Sequence, residues 1–206
     1  YREAGIPVPD WHVISSDTRL DPAEWGPYVV IKPDLSRKGE GVHIKRTGRV
    51  RHKPEERGGA TLIAQKFVYT GRWANHTRVA TLFGRTLMQI RYAFRGANGV
   101  GGAPIVSNKL SSTYELADDP EIAALAERAH AAFPEIPLLG HDIVRDAETN
   151  ELFLLESNTR GDVWLFSSGV GQDLQRRHGL DLYAQYGGLD RAAEALASRV
   201  AAEFGL

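Results

Sequence analysis

Short apolar runs separated by polar or glycine-bearing stretches dominate this chain, and such runs read as strands. Tyr28-Val29-Val30-Ile31-Lys32-Pro33 is the first clear one, and His43-Ile44 follows after a polar loop. Thr61 to Tyr69 is another, running into a polar turn at Thr70-Gly71. His76 to Leu82 and Thr86 to Phe94 read as two long antiparallel strands turning at Phe83-Gly84-Arg85. Gly140 to Arg145 and Leu154 to Asn158 read as a hairpin about the polar stretch Asp146 to Asn150. Two segments break the strand pattern. Asp119 can cap a helix with Pro120 at its first position. Ile122, Leu125, Ala126, Ala129 and Phe133 form its apolar stripe, and Pro134 stops it. Leu189 to Phe204 is a second amphipathic helix. Arg46 to Gly59 is charged and expected to be mobile. Gly96 to Ala103 is too glycine-rich for regular structure and is expected to form a mobile loop near a substrate.

The hairpin carries the first candidate chemistry. Glu156 and Asn158 are two apart on one strand, so both side chains share a face. A hairpin folded about Asp146 to Asn150 is expected to set Asp142 opposite Glu156. Two carboxylates opposed across a ladder repel. The neighbours Ile143, Val144, Leu154 and Leu155 suggest a buried sheet, which sharpens the repulsion. A divalent cation would relieve it, and Asp, Glu and Asn oxygens facing one cavity suit Mg²⁺. A register slip of one residue would instead put the carboxylates on opposite faces, with Asn158 capping a loop. The hairpin alone leaves both readings open.

A second constellation weighs for the first reading. After Lys32-Pro33 comes Asp34-Leu35-Ser36-Arg37-Lys38-Gly39-Glu40-Gly41-Val42, a glycine-bearing loop between strands. Gly39 and Gly41 let backbone N–H groups converge as an anion nest, and Lys32 adds a point charge against phosphate. No helix follows at the spacing a dinucleotide fingerprint requires. The strand through Gln65-Lys66-Phe67-Val68 could offer backbone groups to an adenine edge, although an ordinary core strand reads the same way.

These pieces, with Gly5-Ile6-Pro7-Val8-Pro9 before them and Gly140-His141-Asp142 and Leu155-Glu156-Ser157-Asn158 after, resemble the ATP-grasp superfamily in their order along nearly the whole chain. That superfamily includes D-alanine–D-alanine ligase, glutathione synthetase and peptide-modifying glutamate ligases. The resemblance implies an α+β fold in which two lobes with antiparallel sheets clasp ATP, here residues 1–68 and 69–206. A pre-grasp domain would precede Tyr1 and is absent from this chain. It further implies that Lys32, Ser36, Gly39, Gly41 and Val42 meet the nucleotide phosphates and that Gln65, Lys66, Phe67 and Val68 hold adenine. Asp142, Glu156 and Asn158 would bind Mg²⁺, two ions in all, with Mn²⁺ as a substitute. Arg91, Lys109 and Arg160 would hold an anionic carboxylate or the transferring phosphate. Arg78 shares the long strands with Arg91 and is a further candidate, each with a solvated face as its plain alternative. His76 and His141 read as structural, with His141 pointing away from Asp142. Trp73 and Trp164 are candidate platforms, or else core residues.

The chain departs from the family pattern in places. Gly140 stands where many relatives carry an arginine, two residues before the first metal carboxylate. Thr159-Arg160 follows Asn158 where many carry Pro-Gly. No acidic residue lies between Thr70 and Val79, where one often binds ribose.

The implied activity is a carboxylate–amine or carboxylate–thiol ligase acting through an acyl phosphate on small-molecule or peptide substrates. A small-molecule kinase and a nucleotide-binding module without turnover are the alternatives. The family leaves room for a homodimer. Composition narrows this only a little. With 206 residues, 42% apolar and 25% charged, the chain is long enough for one domain or two packed lobes. A net charge of −1 gives no nucleic-acid footprint. The absence of cysteine excludes disulfides, thiol catalysis and zinc–thiolate sites, and fits an expected cytoplasmic location. No apolar run approaches the ~20 residues of a membrane span. The chain opens on Tyr1 in what reads as a helix end, so a preceding segment is expected and a targeting signal stays open.

Overall fold

The structure, a computed structural model, describes residues 1–35, 40–52, 61–97, 112–159, 167–181, 183–184 and 187–205. Two antiparallel sheets form its frame. The first comprises β1 (Trp11–Val13), β2 (Tyr28–Pro33), β3 (His43–Arg46) and β4 (Leu62–Lys66), in the order β1-β4-β2-β3. The short helix α1 (Pro22–Trp25) caps one edge of its core. Alternation divides this sheet cleanly. Val29, Ile31 and Ala64 point outward into a small core with Ile14 and Val50. Val30, Lys32 and their cross-strand partners Gln65 and Ile63 point the other way.

The second sheet comprises β5 (Trp73–Leu82), β6 (Arg85–Ala97), β7 (Ser112–Ala117), β8 (Leu138–Arg145) and β9 (Leu152–Asn158), in the order β7-β6-β5-β8-β9. Phe83 and Gly84 both have positive φ (45° and 81°), so the β5–β6 connection is a two-residue turn and Arg85 already belongs to β6. Gly96 and Ala97, expected in a loop, continue β6. The rest of the expected loop from residue 98 lies outside the described residues, as does the charged stretch from residue 53 on.

Each face of the second sheet meets helices. On one face Val79, Ile143 and Leu154 pack against Ile122, Leu125, Ala126 and Ala129 of α2 (Pro120–Ala131). Asp119 caps α2, accepting from the N–H groups of Glu121 and Ile122 at 3.0 and 3.2 Å. The helix ends at Ala131, before the expected Phe133, and His130 joins its buried side. Tyr1, Ile6 and Val8 pack on this same core, so the N-terminal segment sits with the second sheet. On the other face Ala80, Met88 and Ile90 meet Leu174 of α3 (Gly169–His178) and Ala192 of α4 (Gly188–Phe204). Among the described residues no helix is long and apolar enough to cross a membrane.

A buried polar chain ties α2 to β8. His130 Nε2 lies 2.9 Å from the Ile136 carbonyl, which can only accept, so this nitrogen donates. His130 Nδ1 then accepts from the Thr81 hydroxyl at 2.7 Å. With its hydrogen committed, Thr81 Oγ1 accepts from His141 Nε2 at 2.9 Å. His141 Nδ1 accepts in turn from Ser157 at 2.7 Å. The chain closes with both rings neutral, and burial lowers both histidine pKa values, that of His141 to about 4. His141 is thus structural and faces away from Asp142, as the alternation requires.

Candidate functional site

The β8–β9 hairpin sets the site, and its register is not the simple one. Symmetry about residues 146–150 would pair Arg145 with Glu151 and put Leu154 opposite Asp142. Instead the turn extends through Glu151, because Asp146 N–H bonds the Glu151 carbonyl at 2.8 Å. The Asp146 carboxylate accepts from Glu148 and Thr149 N–H, and Asn150 adopts φ 64°. Arg145 therefore pairs with Leu152. A bulge then leaves Leu155 without a partner, and Asp142 stands opposite Glu156. Asn158 follows on the same face, and its Nδ2 donates to Glu156 Oε1 at 3.0 Å.

Between the two sheets lies a cleft. It joins Val30 and Lys32 of the first sheet, and Val42 just before β3, to Asp142, Val144, Leu155 and Glu156 of the second. The segment Gln65 to Val68 closes one side, continuing to Thr70, Ala74 and His76. Lys32 is largely buried here. Burial lowers its pKa, while Glu156 and Asp34 act the other way. The first-sheet lysine thus feels a second-sheet carboxylate across the gap. Gln65 is nearly buried and faces the cleft, with no hydrogen bond from its amide among the described residues.

Asp142 has a partner that sequence reading did not assign to it. Arg78, its cross-strand neighbour on β5, donates from Nε to Oδ1 and from a terminal nitrogen to Oδ2, both at 2.8 Å. This bidentate bond raises the arginine pKa. His76 Nε2 is 3.7 Å from Oδ1, and burial lowers the His76 pKa, so this ring is neutral near pH 7. The ring stacks on Tyr92 and Phe94 at 5.2 and 5.7 Å. The repulsion expected between Asp142 and Glu156 is therefore offset by an arginine within the protein.

No protein-family model matches this sequence, and no curated protein matches it either. Solved structures do match. D-cycloserine synthetase DcsG superposes with a TM-score of 0.57 at 18% identity, over 84% of this chain and 65% of that one. The ATP-grasp ligase PsnB, complexed with a phosphomimetic variant of its minimal precursor, Mg and ADP, gives 0.56 at 20%, over 97% and 56%. D-alanine–D-alanine ligase from Bacillus anthracis, complexed with ATP, gives 0.52 at 18%, over 96% and 63%. This chain has the ATP-grasp fold. At these identities the likeness is one of fold, and the chain spans less than two thirds of each of these proteins.

Within the ATP-grasp fold the expected site residues divide into three groups. Lys32, Val42, Gln65, Phe67, Val68, Asp142 and Glu156 line the one cleft, with Asn158 beside Glu156. Lys66 also borders the cleft, but it is the cross-strand partner of Val29 on the outer face. Its ammonium pairs with Asp10 at 2.9 Å there, so only its backbone is available to a ligand. Gly41 is held in a turn at φ 75°, and its oxygen lies 3.0 Å from His43 Nδ1.

Arg91 is not brought to the cleft. It pairs with Thr77 in the β5–β6 register and so shares the α2 face, opposite to Asp142 and Arg78. It is half-exposed and 3.8 Å from Glu115. Trp73 lies in the open with the Arg72 guanidinium over its ring at 5.1 Å. Ser36, Gly39, Lys109, Arg160 and Trp164 lie outside the described residues.

The donor set fits magnesium. Among the described residues no three histidine, cysteine or carboxylate side chains form a metal site, and a third donor to Asp142 and Glu156 would be the Asn158 amide oxygen. That oxygen is left open by the bond its nitrogen makes. Asp142 retains lone pairs beyond the two that Arg78 uses. Two carboxylates and an amide on one face, all hard oxygen ligands, are what Mg²⁺ takes when phosphates and water complete its shell.

Proposed function

We propose that this chain carries the ATP site of a ligase that joins a carboxylate to an amine, or to a thiol, through an acyl phosphate. The observation that carries the reading is the cleft itself. One partly buried lysine, the strand end Gln65 to Val68 and one carboxylate–carboxylate–amide set converge on it from two sheets. The named activities of the similar structures, all synthetases or ligases, support the same class. Another PsnB structure is complexed with a precursor peptide, which supports peptide as well as small-molecule substrates.

In this reading Phe67 and Val68 pack against the base and offer it backbone groups. Lys32 neutralises phosphate charge. Asp142, Glu156 and Asn158 would hold Mg²⁺, which supplies further neutralisation of the phosphates when bound. The substrate carboxylate oxygen bonds to the γ-phosphorus as the bond from that phosphorus to the bridging oxygen of ADP breaks. An amine then attacks the acyl carbon, the carbon–oxygen bond breaks, and phosphate leaves with loss of the amine proton. Positioning and charge neutralisation are the protein's tasks, so no catalytic triad is needed. Lys109 and Arg160 remain the proposed cations for the substrate carboxylate and the transferring phosphate. Arg91, on the opposite face of the sheet, has no part in it.

Hydroxylamine tests the reading. With ATP, Mg²⁺ and a panel of amino acids and peptides, the ligase yields a hydroxamate, with ADP and phosphate in equal amounts. A phosphoester stable to hydroxylamine, formed without free phosphate, would identify a kinase. Nucleotide binding without ADP release across the panel would identify a non-catalytic module.

A further inference from the structure

We infer that Arg78 keeps the Asp142–Glu156 site closed to free divalent metal, so that the metal enters only together with a polyphosphate. This deepens the ATP reading and rests on it. The starting point is charge. Asp142 and Glu156 carry two negative charges on one face of the second sheet. Arg78 offsets the first through two bonds of 2.8 Å, occupying both carboxylate oxygens. Lys32 faces the same cleft and acts on Glu156. The two carboxylates thus meet one guanidinium and one ammonium in the cleft.

A free dication gains little from a carboxylate whose two oxygens already hold a guanidinium. It must shed water that magnesium releases reluctantly, and it must share Asp142 with a guanidinium. A triphosphate changes the balance by bringing several negative charges of its own. With it, both Lys32 and Arg78 acquire phosphate to neutralise, and Asp142 becomes available to the metal. Metal and nucleotide then raise each other's affinity by one common factor. Arg78 is a positioning residue in this scheme and sets the size of that factor. A purely structural Arg78, present only to relieve carboxylate repulsion, would set none.

The test is a Mn²⁺ titration of nucleotide-free protein, read by the electron paramagnetic resonance signal of free Mn²⁺. The titration is repeated with a non-hydrolysable ATP analogue. Wild type is expected to bind Mn²⁺ weakly alone and at least a hundredfold more tightly with the analogue. Arg78→Gln should bind Mn²⁺ alone about tenfold or more tighter than wild type, with the coupling to nucleotide reduced in proportion. Arg78→Lys keeps the charge but cannot span both oxygens, so it should fall between. It serves as the readout if the glutamine variant does not fold. Adding Asp142→Asn to either variant should erase the gain. Unchanged or weaker Mn²⁺ binding by the folded Arg78 variants would overturn the inference while leaving the ATP reading intact. No binding of Mn²⁺ with the analogue by wild type would overturn both.

Discussion

Asp142 and Glu156 face one another across β8 and β9 because Leu155 is bulged out of the ladder between them. Ile143 pairs with Leu154, so an unbroken ladder would pair Glu156 with His141. Glu156 would then share the α2 face with that buried ring instead of the cleft. One unpaired residue therefore brings the second carboxylate into the site. The first carboxylate is tolerated there because Arg78 stands on its other side.

The two carboxylates should differ in what they do for stability. Asp142→Asn leaves Arg78 without its partner in a partly buried position, and should cost about 1–3 kcal/mol. Glu156→Gln removes an exposed charge and keeps a side chain that can bond Asn158, so it should change stability by less than about 0.5 kcal/mol. Under the proposed function both abolish turnover. Urea unfolding of the two variants checks the difference. Equal midpoints would mean that the Arg78–Asp142 bond contributes nothing to the fold.

Lys32→Ala should weaken ATP binding about tenfold or more and leave adenosine binding within about twofold, because an ammonium addresses phosphate rather than base. Isothermal titration with both ligands separates the two. Parallel losses would make Lys32 a structural residue of the cleft wall.

Acid should destabilise the fold well above the range in which carboxylates titrate. His141 has a pKa of about 4 in the folded chain against an ordinary value of 6.5. Between these values the unfolded chain binds more protons than the folded one, so stability rises with pH. The contribution is fully present above about pH 6.5 and is lost as pH falls toward 4. It is on the order of 3 kcal/mol from His141. His130 and His76, also lowered by burial, add with the same sign. Urea midpoints measured from pH 7.5 down to 4.5 should fall steadily below pH 6.5. A flat profile would contradict the neutral His130–Thr81–His141 chain.

Gly41 should resist substitution where Gly48 does not. A Cβ on Gly41 would lie 2.9 Å from Pro33 Cγ, on a backbone already at φ 75°. Gly41→Ala should therefore cost about 1–2 kcal/mol. Gly48 has open space around its Cβ direction, and Gly48→Ala should be neutral to within about 0.5 kcal/mol. Thermal unfolding of the two variants provides the comparison.

Local pattern determined a good deal of this protein. The apolar runs became strands, the Asp119-Pro120 cap began α2, and the spacing of Glu156 and Asn158 put both on one face. Those features depend on residues close together in sequence, and the periods of strand and helix fix them. What the sequence left open depends on pairing between distant segments. Arg78 meets Asp142 through the β5–β8 register, across 64 positions. The same parity sends Arg91 to the far face. Lys66 points outward to Asp10 because its neighbour Gln65 points in. The extra turn residue and the bulge at Leu155 decide the facing of Glu156. A strand's side chains alternate with period two, so its pattern names two faces but not which face meets which partner. Only the closed sheet, with its turn geometry and its core on one side, makes that choice.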